Sequence, residues 1–217
     1  MSDSHPSDNA GAEIAERVER LPEQLHDVLI TIAISGLGCR TEILSHVHGI
    51  SRLHAAGEGD ALVDRRLVVE ENGVYRCAHP VIAHVVRDGL TVSRRREVHR
   101  TLALALERAI SPENQREMAR EIARHADQGE EPALAYRFAL VASNGAIERY
   151  AFAEALSWLD LAATNARGLA QTDAVDQLTA EVLETAGWSE APPLAKLGGP
   201  ITRGMEREDF DLPVRSE

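Results

Sequence analysis

The dipeptide Asn72-Gly73 constrains this chain most strongly, because it joins two short runs of β-prone residues within positions 67–78. An Asn-Gly pair in that setting is the strongest local signal for a β-hairpin, since both residues tolerate positive φ in a tight turn. Three helical segments precede the hairpin, and helical spacing of apolar residues resumes at Pro80. The pattern predicts a helical domain with a small β-hairpin over residues 21–90.

The glycines set the lengths of the three preceding segments. The first segment stops at Gly36 and the second ends near Gly49. The third, at 51–63, contains Gly57 and Gly59, and each interior glycine costs about 1 kcal/mol relative to alanine. We therefore expect the third helix to be short or broken. Three helices followed by a hairpin is the order of a winged-helix domain, which is the fold that this region predicts.

Residues 91–186 show the pattern of antiparallel helical hairpins. Small residues recur at helical spacing after Pro132, and larger apolar residues recur on the next segment. Small residues on one helix let its antiparallel neighbour approach closely, which is typical of tetratricopeptide hairpins. The inward-facing residues are Ala139, Ala142, Ser143 and Ala146 on the first helix, and Phe152, Ala155, Leu156, Leu159 and Ala162 on the second. A last helix at 173–185 is expected to cap the array, so the predicted fold is mainly α.

Both ends of the chain are polar and are expected to be irregular. Residues 1–20 predict a disordered start, to about residue 12, followed by a lead-in to the first helix. Residues 187–217 predict a flexible acidic tail. Within this tail, positions 205–214 set apolar residues among acids, which indicates either a short docking motif or a simple disordered end.

Charge and composition argue against several functional classes. The chain has 217 residues and a formal net charge of −12, which disfavours nonspecific binding to nucleic acid or to an anionic membrane. No apolar run approaches the ~20 residues needed to cross a bilayer, and the N-terminus lacks the apolar core of a signal peptide. Cys39 and Cys77 lack metal-ligand spacing and are expected to be free thiols. We therefore expect a cytoplasmic protein.

Three segments carry a resemblance to a known family. They are LPEQLHDVLITIAISGLGCRTEILSHVHGI, LVDRRLVVEENGVYRCAHPVIAHVV and SRRREVHRTLALALERA. With the helical segment that follows, over about residues 21–165, they resemble the winged-helix and tetratricopeptide-like region of STAND-type signal-transduction ATPases, which are bacterial regulators related to MalT-like and LuxR-type activators. In that family an FRHPL-like segment leads into an RRRxLHRxLA helix. The matching residues here are Tyr75, Arg76, His79, Pro80, Val81, Arg94, Arg95, Arg96, His99, Leu102 and Ala103.

The chain also departs from that family. STAND regulators place a P-loop ATPase domain before the winged helix, and this sequence has no GxxxxGK(S/T) motif to bind a β/γ-phosphate. The resemblance implies either a free-standing relic of such a regulator or an adaptor that supplies its sensor half in trans. We expect a non-enzymatic regulatory or adaptor protein that binds another protein, one candidate being an ATPase-containing transcription regulator. No cofactor, metal or catalytic residue is expected.

The candidate partner-binding residues lie in the predicted helical array and are Arg94, Arg95, Arg96, Arg100, Tyr136 and Tyr150. Three arginines in the first turn of a helix oppose its dipole, so helix stability alone does not explain them. They indicate a docking patch for an acidic partner, or alternatively a solvated helix start paired with acidic neighbours. The two tyrosines are expected to line or support the concave surface of the hairpins.

The alternative function is a DNA-binding transcription regulator. A winged helix can place its third helix in the major groove, and Arg52, Arg65 and Arg66 are the residues that would contact DNA. The turn of the β-hairpin carries Glu70 and Glu71, whose charge opposes contact with phosphate. A third interpretation is that a groove between the winged helix and the hairpins senses a small metabolite, as sensor domains of the resembling family do.

The nine histidines do not form a metal-ligand pattern. His46 and His48 are two positions apart on a predicted helix and therefore point to different sides. His79 is expected to start a helix, whereas His99 and His125 are expected to lie on partly buried helix faces.

Overall fold

A computed structural model of the protein describes residues 6–111, 114–166 and 172–188. Within these ranges the fold is mainly helical with one small antiparallel sheet, as the sequence predicts. The helices are α1 Pro6–Glu19, α2 Glu23–Ser35, α3 Thr41–His48, α4 Arg52–Asp64, α5 Pro80–Asp88, α6 Val92–Ala109, α7 Gln115–Gln128, α8 Pro132–Glu148, α9 Phe152–Ala166 and α10 Thr172–Ala186. The strands are β1 Cys39–Arg40, β2 Val68–Glu71 and β3 Val74–Cys77. The predicted tail and its docking motif, from residue 189 onward, lie outside the described residues.

The predicted hairpin is confirmed. Its turn residues Asn72 and Gly73 have φ of +54° and +78°, and the strands pair in register from Val68 opposite Cys77 to Glu71 opposite Val74. A further strand, β1, pairs with β3 on its other side, so the sheet order is β1-β3-β2. The sequence does not predict β1, because two residues are too few to show the alternating pattern of a strand.

Helix α2 lies at the centre of the first unit, with α4, α5, α6 and β3 packed around it. A helical segment that is apolar on all sides must be buried on all sides, and α2 has this character from Val28 onward. Its buried residues are Leu25, Val28, Leu29, Ile30, Thr31, Ile32, Ala33, Ile34 and Ser35. The other helices of the unit are therefore positioned by their contact with α2.

The chain divides into two compact units, the first ending at Glu131 and the second beginning at Pro132. The sequence instead predicts a domain boundary near residue 90. The boundary lies later because α6 packs against α2, α3 and α7, and all of these belong to the first unit. The spacing of apolar residues predicts that a segment is helical. It does not predict which hydrophobic core the helix packs against.

Two arginines tie the later helices of this unit to the end of α2. The last turn of α2 has no basic residue of its own to interact with its free carbonyl groups. Arg87 of α5 donates from Nε and Nη2 to the carbonyl oxygen of Ala33, at 2.9 and 2.6 Å. Arg124 of α7 donates to the carbonyl oxygen of Ser35, at 3.2 Å. The end of α2 is therefore capped by residues 50 to 90 positions away.

The N-terminal region is helical where the composition predicts disorder to about residue 12. Helix α1 begins at Pro6 and packs against α5, with Val18 buried. Near its end, Arg17 donates to the carbonyl oxygen of Arg65, at 2.5 Å. Tertiary contacts of this kind stabilise a helix that its own composition would not.

Helix α4 is continuous, so the expectation that its glycines break it is wrong. At Gly59 the absence of a side chain makes room for the buried Tyr75 ring, because an added Cβ would lie 2.5 Å from it. The Tyr75 hydroxyl donates to Asp60, at 2.9 Å, which holds the ring in place. The glycine is thus required by packing rather than by a turn.

Two alanine substitutions in α4 are expected to have opposite effects. Gly57→Ala meets nothing within 4 Å and should raise the free energy of unfolding by up to about 1 kcal/mol. Gly59→Ala forces Tyr75 to move and should lower it by about 1 to 3 kcal/mol. Urea unfolding of the two variants provides the measurement, and equal effects at the two sites would contradict the assigned packing.

The second unit contains the predicted pair of helices α8 and α9. Only three residues join them, so they run antiparallel where they pack. The predicted inward-facing residues are buried except Phe152, which is half-buried. Trp158 of α9 also belongs to this core, and α10 packs on α9 with Val175 and Val182 buried.

Candidate functional site

The four arginines near the start of α6 form a row in which each member has an intramolecular partner. We call Arg94, Arg95, Arg96 and Arg100 the arginine row. Thr91 caps the helix by accepting from the backbone N–H of Arg94, at 3.2 Å. The pairs are Arg94 with Asp27, Arg95 with the carbonyl oxygen of Arg87 at 2.6 Å, Arg96 with Glu130 at 2.8 Å, and Arg100 with Glu131 at 2.5 Å.

The arginine row therefore braces α6 against α2 and against the segment that follows α7. This matches the alternative of a helix start paired with acids, although the partners are distant in sequence. Arg94, Arg96 and Arg100 remain about half exposed. Exposed ion pairs contribute only about 0 to 1 kcal/mol each, so an acidic partner protein could compete for these guanidinium groups. A docking role for the arginine row stays a prediction.

The three arginines predicted to contact DNA lie at the two ends of α4. Arg52 and Arg65 lie at opposite ends of α4, about 20 Å apart at 1.5 Å per residue. Arg52 pairs with Glu42, and Arg65 donates to the carbonyl oxygen of Ala61, at 2.7 Å. Arg66 follows the helix with a φ of +55°.

The solvent-facing side of α4 is acidic and apolar between those ends. Its exposed residues include Leu53, Asp60 and Asp64. The hairpin beside it carries exposed Glu70 and Glu71, which accept from the backbone N–H of Gly73 and from Arg76 respectively. This surface would meet a DNA backbone with charge of the same sign.

The two predicted partner-binding tyrosines lie near opposite ends of α8, about 20 Å apart. Tyr136 is half-buried, whereas Tyr150 is 80% exposed in the connection to α9. The Tyr150 backbone has a φ of +59°, and its ring meets Phe152 edge to face with 6.2 Å between centroids. Arg149 beside it pairs with Glu154, at 3.2 Å. We call Arg149, Tyr150 and Phe152 the α8–α9 tip.

A buried histidine pair, His99 and His125, joins α6 to α7. The sequence does not predict this pair. Nδ1 of His99 lies 2.7 Å from Nδ1 of His125, with the side chains 4% and 1% exposed. The sequence places both residues on partly buried faces. It does not bring them together, because they are 26 positions apart and the register between two helices is a tertiary property.

Arg124 and Glu121 lie beside the His125 ring of this pair. Nη2 of Arg124 lies 3.0 Å from Nε2 of His125, and Oε2 of Glu121 lies 3.7 Å from the same nitrogen. Arg124 also pairs with Glu121, at 2.7 Å, so this carboxylate balances the charge of the arginine.

Both histidines are neutral at pH 7. Burial, together with the positive charges of Arg124, Arg95 and Arg87, lowers the pKa of His99 from 6.5 to about 4. Burial also holds the pKa of His125 well below 6.5, with Arg124 adding to the effect. The two rings therefore connect α6 to α7 through a hydrogen bond between neutral side chains. Burial of both rings disfavours the uptake of a proton by either one.

The cysteines are free and unreactive in character. Cys39 is buried and Cys77 is half-buried. Burial raises their pKa values to about 12 and about 11, so both remain thiols at neutral pH. Across the described residues, no group of three His, Cys, Asp or Glu side chains could hold a metal ion. In the same part of the chain, no helix is long and apolar enough to span a bilayer.

Comparison with known protein families, with curated proteins and with solved structures finds no match to this chain.

Proposed function

We propose that this chain is a non-enzymatic regulatory or adaptor protein that binds another protein through the helical hairpin of its second unit. The α8–α9 tip is the observation that carries the proposal. Tyr150 is 80% exposed, its ring meets Phe152 edge to face, and its backbone has a positive φ. Tyrosine and arginine are enriched among residues that dominate binding energy, and a preorganised side chain loses little entropy on binding.

The family resemblance supports a more specific version of this proposal. The first unit orders its elements as helix, strand, helix, helix, strand, strand from α2 to β3, with β3 in the middle of the sheet. This order suits a winged helix, and the small residues of α8 suit a tetratricopeptide-like hairpin. A STAND-type transcription regulator that contains the ATPase domain is then the partner to test first, and the cytoplasm is the proposed location.

DNA binding is less well supported. The exposed side of α4 is acidic, Arg52 pairs with Glu42, and Arg65 lies a helix length away. Proteins that bind DNA gain most of their affinity from lysines and arginines placed along phosphates.

Photo-crosslinking from the α8–α9 tip tests the proposed function. Tyr150 is replaced by p-benzoylphenylalanine in the encoding organism, and adducts are identified by mass spectrometry. We expect one dominant protein adduct, because an exposed ring at a binding surface lies against the partner. The matched control places the same group at Gln177, an exposed side chain of α10, and should give little of that adduct.

A parallel selection of random DNA duplexes on the purified chain distinguishes the two functions. We expect no enriched sequence. A sequence that is enriched, and whose binding is lost in Arg52→Ala, would replace the protein-binding proposal with the DNA-binding one.

A further inference from the structure

A cleft in the first unit opens between α2, α3 and α6. Its volume is about 240 Å³, and ligand pockets commonly measure about 300 to 1,000 Å³. The cleft is smaller than this range, so its volume limits any ligand to a few heavy atoms. It lies wholly in the first unit and shares no residue with the α8–α9 tip.

The inner part of the cleft is apolar. Ile30 of α2 is buried, while Val47 of α3 and Val98 of α6 are half-buried. Each of the three helices thus contributes one aliphatic side chain. A short aliphatic chain would bury its surface here at a gain of about 25 cal/mol per Å².

The mouth of the cleft carries one guanidinium group and two carboxylates. Arg94 pairs with Oδ1 of Asp27 through Nη2 alone, and a guanidinium has five N–H donors. Most of its donors therefore remain for another acceptor. Glu97 lies on the same side of α6, with Oε2 4.0 Å from Nη1 of Arg100, which is a weak contact. The mouth can therefore bind an anionic group and a cationic group together.

The wall between the mouth and the inner part is polar but uncharged. Thr31 is buried and donates from Oγ1 to the carbonyl oxygen of Asp27, at 3.1 Å. The Oγ1 atom of Thr31 also lies 3.1 Å from Nε2 of His48. Burial lowers the pKa of His48, so this side chain adds no positive charge at neutral pH. Only the three charged groups at the mouth select the charge of a ligand.

We propose that this cleft binds a free α-amino acid with a short aliphatic side chain. The ligand carboxylate pairs with Arg94, and the ligand ammonium pairs with Asp27 and Glu97. The aliphatic side chain contacts Ile30 and Val98 in the inner part. This assignment gives the first unit a ligand-sensing role that goes beyond protein binding by the second unit and does not depend on it.

Calorimetric titration of the full chain with three related compounds tests this assignment. L-leucine carries both charges, leucinamide carries only the ammonium, and 4-methylpentanoate carries only the carboxylate. We expect leucine to bind at least about tenfold more tightly than either of the others, because each of them loses one charge-assisted contact. Absence of leucine binding at about 10 mM, which corresponds to less than about 3 kcal/mol of binding free energy, would overturn the proposal. Equal affinity for all three compounds would also overturn it.

Variants locate the site. Arg94→Gln and Asp27→Asn should each weaken leucine binding at least about tenfold. Arg108→Gln, on the exposed side of the same helix, should leave it unchanged. Val98→Phe should fill the inner part and abolish binding while circular dichroism shows the helical content retained. Binding by Arg94→Gln at the affinity of the unmodified chain would contradict the assignment.

Discussion

Lowering the pH from 7 to 5 is expected to reduce the free energy of unfolding of the first unit by about 2 kcal/mol through His99 alone. The folded protein holds the pKa of His99 near 4, whereas the unfolded chain binds that proton near 6.5. Between these values the unfolded state carries more protons, so stability rises with pH in this window. His125 also makes the free energy of unfolding fall as the pH is lowered, because burial lowers its pKa too.

A pair of variants separates this effect from the titration of carboxylates. Replacing both His99 and His125 by asparagine removes the titrating groups and should flatten the dependence of stability on pH between 5 and 6.5. His84→Asn, on an exposed histidine that pairs with Asp88, should leave the dependence as it is. Urea unfolding followed by circular dichroism gives the slopes, and an unchanged slope in the double variant would contradict the assigned burial.

Trp158→Ala is expected to lower the stability of the second unit by about 3 to 5 kcal/mol. Trp158 is 2% exposed, and its indole N–H donates to Glu154, at 3.4 Å. Truncation of a fully buried indole leaves a cavity that the surrounding side chains fill only in part. Loss of part of the helical signal at low urea, before the first unit unfolds, is the expected measurement.

Two controls accompany that variant. Trp158→Phe keeps most of the apolar volume and should cost markedly less. Trp188→Ala changes a side chain that is 36% exposed and should have a small effect. A cost below about 1 kcal/mol for Trp158→Ala, which is typical of surface positions, would mean that α8 and α9 do not share the described core.

The local elements of the fold were predictable from the sequence because local signals fix them. Asn72-Gly73 sets the turn, His79 caps α5, and the small residues of α8 identify its buried face. Such features depend on neighbours within a few positions, so periodicity and turn chemistry are sufficient.

The tertiary features were not predictable in this way. Arg87 and Arg124 cap α2 from distant helices. The first unit ends at Glu131 rather than near residue 90 because α6 packs against α2, α3 and α7. The expected break in α4 does not occur, because Gly59 accommodates the ring of Tyr75. In each case the decisive partner lies on another element.

The candidate site shows the same division. The arginine row was recognised from composition, but its acidic partners Asp27, Glu130 and Glu131 come from other segments. Arg52 and Arg65 were likewise recognised by residue type, but their partners, Glu42 and the carbonyl oxygen of Ala61, are found only in the structure. The sequence identifies residue types, whereas surfaces require the coordinates.

The affinity of the partner recovered by crosslinking provides the most direct test of protein binding through the α8–α9 tip. With both proteins purified, Tyr150→Ala is expected to raise the dissociation constant at least about tenfold, since a central tyrosine commonly contributes more than 1 kcal/mol. Gln177→Ala, which truncates an exposed side chain of α10, should leave the constant unchanged. An unchanged constant for Tyr150→Ala would contradict the account.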